Sequence, residues 1–314
     1  MKKLILSIMA FATLAVSAKA QDEAIFSHYI INPMLINPAY SGFNDNVQIF
    51  GHMRNQWTGL TNAPKTYALT MDLPMTEKVG LGGLILSEKF GVTERFRGQV
   101  NYAYRYVGKG YKWSIGFSTE FHRVRINPSI NDPLVNPLVD RNDPLITEGI
   151  KGLTYFDASF GGAAVIKDKI LLSASLTNLI RARLGVIDPV TPQKSFGRQF
   201  ILMGGYRIKK NQITFEPSIQ IHKVYKAPFE VDVNMKAVAF EEKLIAALSV
   251  RPGDSGQIGL LVGTKQPGFS IYYSYNSSLA QYNQYQRNGH EVTLGIAFQK
   301  ADKKIDRGNK RYRN

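Results

Sequence analysis

The sequence has 314 residues but no cysteine and only two tryptophans, and beyond residue 20 it contains no long apolar run. The absence of cysteine excludes disulfides, thiolate zinc sites, cysteine nucleophiles and iron–sulfur clusters. The absence of long apolar runs excludes a polytopic helical membrane protein. Because 44% of the residues are hydrophobic and 20% are charged, a disordered chain is also excluded, and a chain of this length can bury a large core.

The first twenty residues have the composition of a leader. Lys2 and Lys3 precede an apolar run over residues 4–18, and small residues flank Lys19 up to Ala20. This pattern predicts a signal peptide over residues 1–20 with cleavage near Ala20; a membrane anchor is the alternative, but the run is short for a span. Removal of Lys2, Lys3 and Lys19 with this leader lowers the formal net charge from +15 to +12, which then belongs to the exported protein. It favours attraction to an anionic envelope over binding to nucleic acid.

Apolar and polar residues alternate along most of the chain after residue 45. Between Phe229 and Lys236, every odd residue is apolar and every even residue is polar. A period of two predicts strands with one apolar and one polar face. About fourteen segments fit this reading: 46–57, 64–74, 77–89, 94–108, 111–125, 153–166, 169–179, 196–209, 212–225, 228–240, 242–252, 255–265, 267–277 and 289–299.

The lengths of these segments favour a membrane barrel over a soluble sandwich or solenoid. They reach the roughly 9 to 11 residues that a tilted strand needs to cross a bilayer, whereas globular strands average about 5 to 6. Short connections follow the even strands, and three long ones follow odd strands, at 126–152, 180–195 and 278–288. The sequence therefore predicts an all-β fold: a transmembrane antiparallel barrel of about 14 strands over residues 46–299, with an N-terminal extension.

A barrel in lipid places apolar side chains outside and polar ones in the lumen. Charged residues on the polar faces are therefore candidates for the lumen: Asp72, Arg105, Glu120, Glu216, Glu230, Asp232 and Lys236. Tyrosines are favoured at membrane interfaces, and two groups are candidates for such belts: Tyr102, Tyr104 and Tyr106, and Tyr272, Tyr273 and Tyr275.

The ends of the mature chain differ in character from the barrel. Two Asn-Pro pairs mark turns in the segment 21–45, which is too apolar and aromatic to remain in water. We expect it to dock as a plug in the lumen, as a periplasmic flap or as an extra edge on the barrel wall. The tail, residues 300–314, has seven basic and two acidic residues. It is expected in the periplasm, either solvated or docked to a partner.

Residue patterns that carry chemistry are sparse. Ser118 and His122 share a strand face, but such pairs arise by chance. The five histidines show no spacing suited to a metal. We therefore expect no enzyme, no catalytic or metal-binding residue and no cofactor.

Two segments resemble a known family. The first contains Asn32, Pro33, Asn37, Pro38, Ala39, Tyr40 and Gly42, and the second contains Arg54, Gln56, Trp57, Gly59, Ala63 and Pro64. Together they closely resemble the N-terminal signature of the PorP/SprF family of type IX secretion outer-membrane proteins. The resemblance spans essentially the mature chain.

This resemblance implies an outer-membrane barrel that assists export or surface display of a cargo protein, in some members a large adhesin used in gliding motility. It implies outer-membrane lipid, an exported cargo protein and type IX machinery subunits as partners, and it implies no reaction. The loop at 126–152 is one candidate for partner contact. The alternative function is a passive channel or hydrophobic-solute transporter, with residues 21–45 as its hatch.

Overall fold

The computed structural model describes residues 26–132, 139–140, 142–184, 199–224, 228–253, 256–279 and 288–298. The expected signal peptide, its cleavage site and the basic tail lie outside the described residues. Sixteen strand segments form one antiparallel sheet. They are β1 (Val47–Asn55), β2 (Lys65–Pro74), β3 (Val79–Phe90), β4 (Thr93–Gly108), β5 (Tyr111–Ile126), β6 (Leu153–Ile166), β7 (Ile170–Thr177), β8 (Ala182–Arg183), β9 (Gln199–Tyr206), β10 (Ile208–Lys210), β11 (Ile213–Val224), β12 (Phe229–Ala239), β13 (Leu244–Arg251), β14 (Gln257–Gln266), β15 (Phe269–Ser278) and β16 (Gly289–Phe298).

The sheet closes on itself. β16 pairs with β1, and β9 pairs with both β7 and β11, so the ring has no free edge. β9 and β10 are two parts of one wall strand; β8 pairs with β6 outside the ring. The prediction of a barrel of 14 wall strands is confirmed, and each predicted segment overlaps one wall strand with ends that differ by a few residues.

The break between β9 and β10 lies opposite a proline. In the ladders with β11, Gly205 pairs with Ser218 and Ile208 pairs with Phe215, and the two residues between them on each side are unpaired. Pro217 is one of these, and it has no N–H to donate across the sheet. The pairing is interrupted there without the loss of a wall strand.

The two ends of the barrel differ in their connections. Short turns join β2 to β3, β4 to β5, β6 to β7, β10 to β11, β12 to β13 and β14 to β15, and the chain enters β1 and leaves β16 at this same end. The long connections all lie at the opposite end. In an outer-membrane barrel the short-turn end faces the periplasm and the long-loop end faces outward.

The long connection after β5 contains a helix that the sequence pattern did not predict. It is α1 (Pro144–Lys151), preceded by a 3₁₀ turn at Pro128–Asn131. The carboxylate of Asp143 accepts the N–H of Leu145 at 2.8 Å, and Pro144 occupies the first helical position. Both features stabilise a helix start. At eight residues the helix is too short to show a clear apolar period.

The outer wall of the barrel is apolar. Leu69, Val100, Leu260 and Leu294 lie on it and are at least half exposed, which in a membrane means contact with lipid. Tyr102, Tyr104 and Tyr106 also lie on this face. The belt predicted at Tyr272 is wrong, because Tyr272 is buried inside the barrel while its neighbour Tyr273 faces out. Adjacent residues of a strand point to opposite faces, so the three tyrosines of that segment cannot form one belt.

Within the described residues, no helix is long and apolar enough to cross a membrane.

Candidate functional site: the occupied lumen

Residues 26–45, the luminal segment, lie inside the barrel. The segment forms three short 3₁₀ helices, at Ser27–Ile30, Pro33–Leu35 and Pro38–Tyr40. The two Asn-Pro pairs set the last two helix starts, because each proline occupies the first helical position, where no N–H is needed. The side chain of Asn37 also accepts the N–H of Ala39 at 2.9 Å. Local sequence therefore fixes a compact, turning conformation.

The first helix is held by the wall near the long-loop end. The carboxylate of Glu291 accepts the N–H of Ser27 at 3.0 Å and that of His28 at 3.2 Å, and it lies 3.0 Å from the Nε of Arg54. All four residues are at least partly buried, and His28 is fully buried. Charge-assisted hydrogen bonds of this kind are stronger than neutral ones. One wall carboxylate therefore binds both a wall arginine and the luminal backbone.

The ring of His28 bridges two hydroxyls of the wall. Its Nδ1 lies 2.6 Å from Thr293 Oγ1, and its Nε2 lies 2.9 Å from Ser274 Oγ. A neutral imidazole has one donor and one acceptor nitrogen, and two hydroxyls satisfy both.

The middle of the segment contacts both sides of the barrel. The amide of Asn32 donates to Thr70 Oγ1 at 2.7 Å and lies 3.1 Å from His52 Nε2, on β2 and β1. Across the lumen, Asn234 on β12 donates to the hydroxyl of Tyr29 at 2.8 Å. The segment thus spans the lumen from one wall to the other.

Asn37 is the most heavily bonded side chain of the segment. Its amide donates to Ser173 Oγ at 2.9 Å and to the backbone carbonyls of Gly162 and Ala174 at 3.0 and 3.1 Å. Beside it, Ser175 donates to the carbonyl of Ile36 at 2.8 Å. These bonds anchor the second Asn-Pro pair to β6 and β7.

The segment leaves the lumen between two charged residues of the wall. Asp72 accepts the N–H of Gly42, and the guanidinium of Arg105 donates to the Gly42 carbonyl. Arg105 also donates to Asp45 at 3.0 Å and to the carbonyl of Asn44 at 3.3 Å. Gly42 adopts a φ of +65°, which a residue with a side chain rarely takes. This positive φ explains why glycine occupies this position of the family signature.

Two wall glycines allow the backbone to approach closely. A Cβ on Gly80 would overlap the backbone of Ser41 and Gly42, and a Cβ on Gly116 would overlap the backbone of Pro38 and Ala39. Any larger residue at either position would push the segment away from the wall.

The structure places all seven lumen candidates on the inner face of the barrel, and Asp72 and Arg105 contact the luminal segment by hydrogen bonds. The other five form ion pairs within the wall. Glu120 binds Arg97 at 2.9 Å, Glu216 binds Arg207 at 2.5 Å and also Lys236, and Arg251 binds Asp232 at 2.6 Å and Glu230 at 3.1 Å.

The second signature segment forms the external β1–β2 connection. The N–H of Gln56 donates to the Pro64 carbonyl at 3.0 Å, which closes the loop, and Gly59 has a φ of +96°. The ring of Trp57 packs edge-on against Phe90 of β3, with centroids 5.6 Å apart. Ala63 is half-buried beside Pro64. Arg54, at the start of this segment, connects it to the luminal segment through Glu291.

Sequence reasoning missed Glu291, although it binds both signature segments. The alternation of Val292, Leu294 and Ile296 does put Glu291 on the polar face, so its inward orientation was readable. Its partners Arg54, Ser27 and His28 could not be predicted from the sequence, because closure of the barrel brings them together with Glu291.

Ser118 and His122 do share the inner face, and both contact the same carboxylate. The Ser118 hydroxyl donates to Glu120 at 2.7 Å, and the His122 ring lies 3.0 Å from the other Glu120 oxygen. A nucleophilic serine needs a base that is available to accept its hydroxyl proton. Here the Ser118 hydroxyl donates to a carboxylate that already takes part in an ion pair. No cluster of three metal-binding side chains occurs in the part of the chain that the structure describes.

A family model covers most of the chain. Residues 18–296 match the model of the type IX secretion system membrane protein PorP/SprF. The chain belongs to the PorP/SprF family. It is therefore a membrane barrel of a secretion-system family rather than of an enzyme class, and fold and family together support the outer membrane as its location. No curated protein matches the chain.

Several solved structures match most of the chain. The toluene transporter TodX of P. putida has a TM-score of 0.48 at 8% identity, covering 83% of this chain and 91% of TodX. Omp33 of Acinetobacter baumannii has a TM-score of 0.47 at 8% identity, covering 83% of this chain and all of Omp33. A TodX variant described as a monoaromatic hydrocarbon channel has a TM-score of 0.48 at 7% identity, with 87% and 94% covered.

Proposed function

We propose that this protein is an accessory barrel of the type IX secretion system that assists export or surface display of a cargo protein, and that its lumen is not the cargo's path. Family membership supports the first part. The luminal segment supports the second, because it is bound to β2 on one side of the lumen and to β12 on the other. A segment bonded to both sides of the lumen stands in the way of a cargo chain.

The partner then binds at the ends of the barrel, and the long-loop end offers an apolar surface above the membrane. Leu60, Phe90 and Val92 are each more than a third exposed there, beside Trp57. The N–H of Gly91 donates to the carbonyl of Asn62 at 3.0 Å, which fixes the β3–β4 turn against the β1–β2 loop. Exposed apolar and aromatic side chains on a fixed surface are typical of protein interfaces.

The test is affinity purification of the tagged protein from detergent-solubilised outer membranes, followed by mass spectrometry. We expect one large exported protein together with machinery subunits. The variant L60N/F90N should lose the exported protein while the barrel stays folded, and L145N tests the alternative contact on α1 of the 126–152 loop. Recovery of the barrel alone in good yield would overturn the proposal, as would an unaltered surface proteome after deletion of the gene.

A passive channel is the second candidate, and one observation favours it. Ser41 of the luminal segment and three inner side chains of the wall, Thr66, Gln220 and Asn234, each have a buried polar atom with no hydrogen-bond partner in the described structure. Each such atom costs about 1–3 kcal/mol, so the segment is held less firmly than its bonds alone indicate. Planar bilayers containing the protein with and without residues 21–45 test this: a channel requires conductance that rises on deletion.

A further inference from the structure

Three consecutive turns at the short-turn end carry a cluster of lysines. They are Lys109 in the β4–β5 turn, Lys167 and Lys169 in the β6–β7 turn, and Lys209 and Lys210 at the β10–β11 turn; we call these five residues the basic arc. All five are exposed. Within the described structure none has an acidic partner within 4.0 Å, although Asp168 lies in the same turn as Lys167 and Lys169.

The basic arc is held together by its backbone. The N–H of Lys167 donates to the carbonyl of Gly110 at 2.5 Å, which joins the first turn to the second. The N–H of Arg207 donates to the carbonyl of Lys169 at 2.7 Å, which joins the second turn to the strand before the third. The five ammonium groups are therefore presented by one continuous rim, and the rim need not be ordered when a ligand binds.

An aromatic patch lies directly beside this rim on the outer wall. Tyr106 stacks on Tyr111 with centroids 5.8 Å apart and on Trp113 at 5.9 Å, and Tyr104 lies 6.0 Å from Trp113. All four rings are more than a third exposed. Aromatic rings of this kind mark the depth of lipid headgroups. Ile170, Tyr206 and Ile208 are also exposed, and they extend the apolar outer surface next to the other two turns.

We propose that the basic arc and the aromatic patch together form a binding site for the headgroup of an anionic phospholipid in the periplasmic leaflet. The patch places the membrane interface at the height of the three turns, so the ammonium groups lie where lipid phosphates lie. The aromatic rings contact the glycerol region and upper acyl chains, and the lysines bind the headgroup charge. Lysines near an anionic leaflet are attracted to it electrostatically, and salt screens this attraction.

The chain contains a reporter at this site. Its only tryptophans are Trp57, in the external β1–β2 loop, and Trp113, in the aromatic patch. The variant W57F therefore leaves a single fluorophore beside the proposed lipid. In bilayers that mix phosphatidylcholine with brominated phosphatidylglycerol, and in the reciprocal mixture, quenching of Trp113 measures the relative affinity for the two lipids.

We expect Trp113 to show a clear preference for phosphatidylglycerol that falls as salt is raised. In the background of W57F, the triple variant K109Q/K167Q/K169Q should reduce this preference by about fivefold or more, toward one. The matched control K65Q/K89Q/K151Q removes three lysines from the long-loop end and should leave the preference unchanged. Heat-modifiable migration on a gel verifies that each variant forms the barrel.

Three results would overturn the proposal. The first is equal quenching by the two brominated lipids in the W57F protein. The second is an equal loss of preference in the control triple variant, since that would assign the effect to net charge alone. The third is displacement of the preference by millimolar inorganic phosphate, which would assign the arc to free phosphate. If the arc instead serves an acidic periplasmic protein, the lipid preference is absent and the first result is obtained.

Discussion

Arg54 and Glu291 form a buried ion pair across the closing seam of the barrel, with 3.0 Å between the arginine Nε and a carboxylate oxygen. The two residues pair directly in the register of β1 and β16, so the bridge fastens the first wall strand to the last. The same carboxylate accepts two backbone N–H groups of the luminal segment. Closure of the barrel and docking of the segment are therefore coupled through Glu291.

The substitution E291A should weaken both the closure of the barrel and the docking of the luminal segment. Removing one partner of a buried ion pair costs about 3–5 kcal/mol, and here the N–H groups of Ser27 and His28 also lose their acceptor. We expect a lower thermal unfolding temperature and faster hydrogen exchange at residues 27–32, measured by mass spectrometry. The control E94A removes a carboxylate paired with the half-exposed Arg125 and should change either quantity little. Equal exchange in wild type and E291A would contradict the coupling.

A matched pair of glycines on β3 tests how closely the segment lies against the wall. Gly80 faces inward, and an added Cβ would overlap the backbone of Ser41 and Gly42; Gly83 faces outward, where the nearest atom to an added Cβ is 3.8 Å away. G80A should displace residues 41–42 at a cost of about 1–3 kcal/mol and raise their hydrogen exchange. G83A should leave exchange unchanged. If both variants behave alike, the segment does not contact β3 in the membrane.

Arg105 holds the point where the luminal segment leaves the barrel. Its guanidinium donates to the carbonyls of Thr76 and Glu77 at 3.0 Å, in the β2–β3 turn, as well as to the segment. A lysine has the same charge but cannot make this planar set of bonds. R105K should therefore increase protease cleavage near residues 42–46 in vesicles that expose the short-turn end of the barrel. R95K, at a partly exposed pair with Glu88, provides the control and should not.

The alternation of apolar and polar residues predicted the wall strands because a strand in lipid has to satisfy two solvents at once. That constraint acts on every second residue, so it is readable without knowing which strands meet. It also placed Asp72, Glu120 and Glu216 on the inner face. The helix α1 was missed although Asp143 and Pro144 supply a recognisable start, because eight residues give too few turns for a period to show.

The position of residues 26–45 was not readable in the same way, and the sequence left three alternatives open. The bonds that decide it join residues far apart in the chain, such as Asn37 with Ser173 and Ser27 with Glu291. These partners become neighbours only once the barrel has formed. The role of the wall glycines could not be predicted for the same reason. Gly116 must lack a side chain because Ala39 lies against it, and that contact exists only in the folded barrel.

Two residues of β16 test whether the outer wall is immersed in lipid to the depth that the strand lengths imply. Leu294 lies midway along the strand and Phe298 at its periplasmic end; both face outward, with exposed fractions of 56% and 54%. In water the two positions are equivalent, whereas in a bilayer a charge costs about 2–4 kcal/mol at the midplane and about 0–1 near the interface. We therefore expect L294R to lower the free energy of unfolding in lipid vesicles, measured by denaturant titration, far more than F298R does. Equal effects of the two arginines would mean that β16 does not cross the hydrophobic core of the membrane.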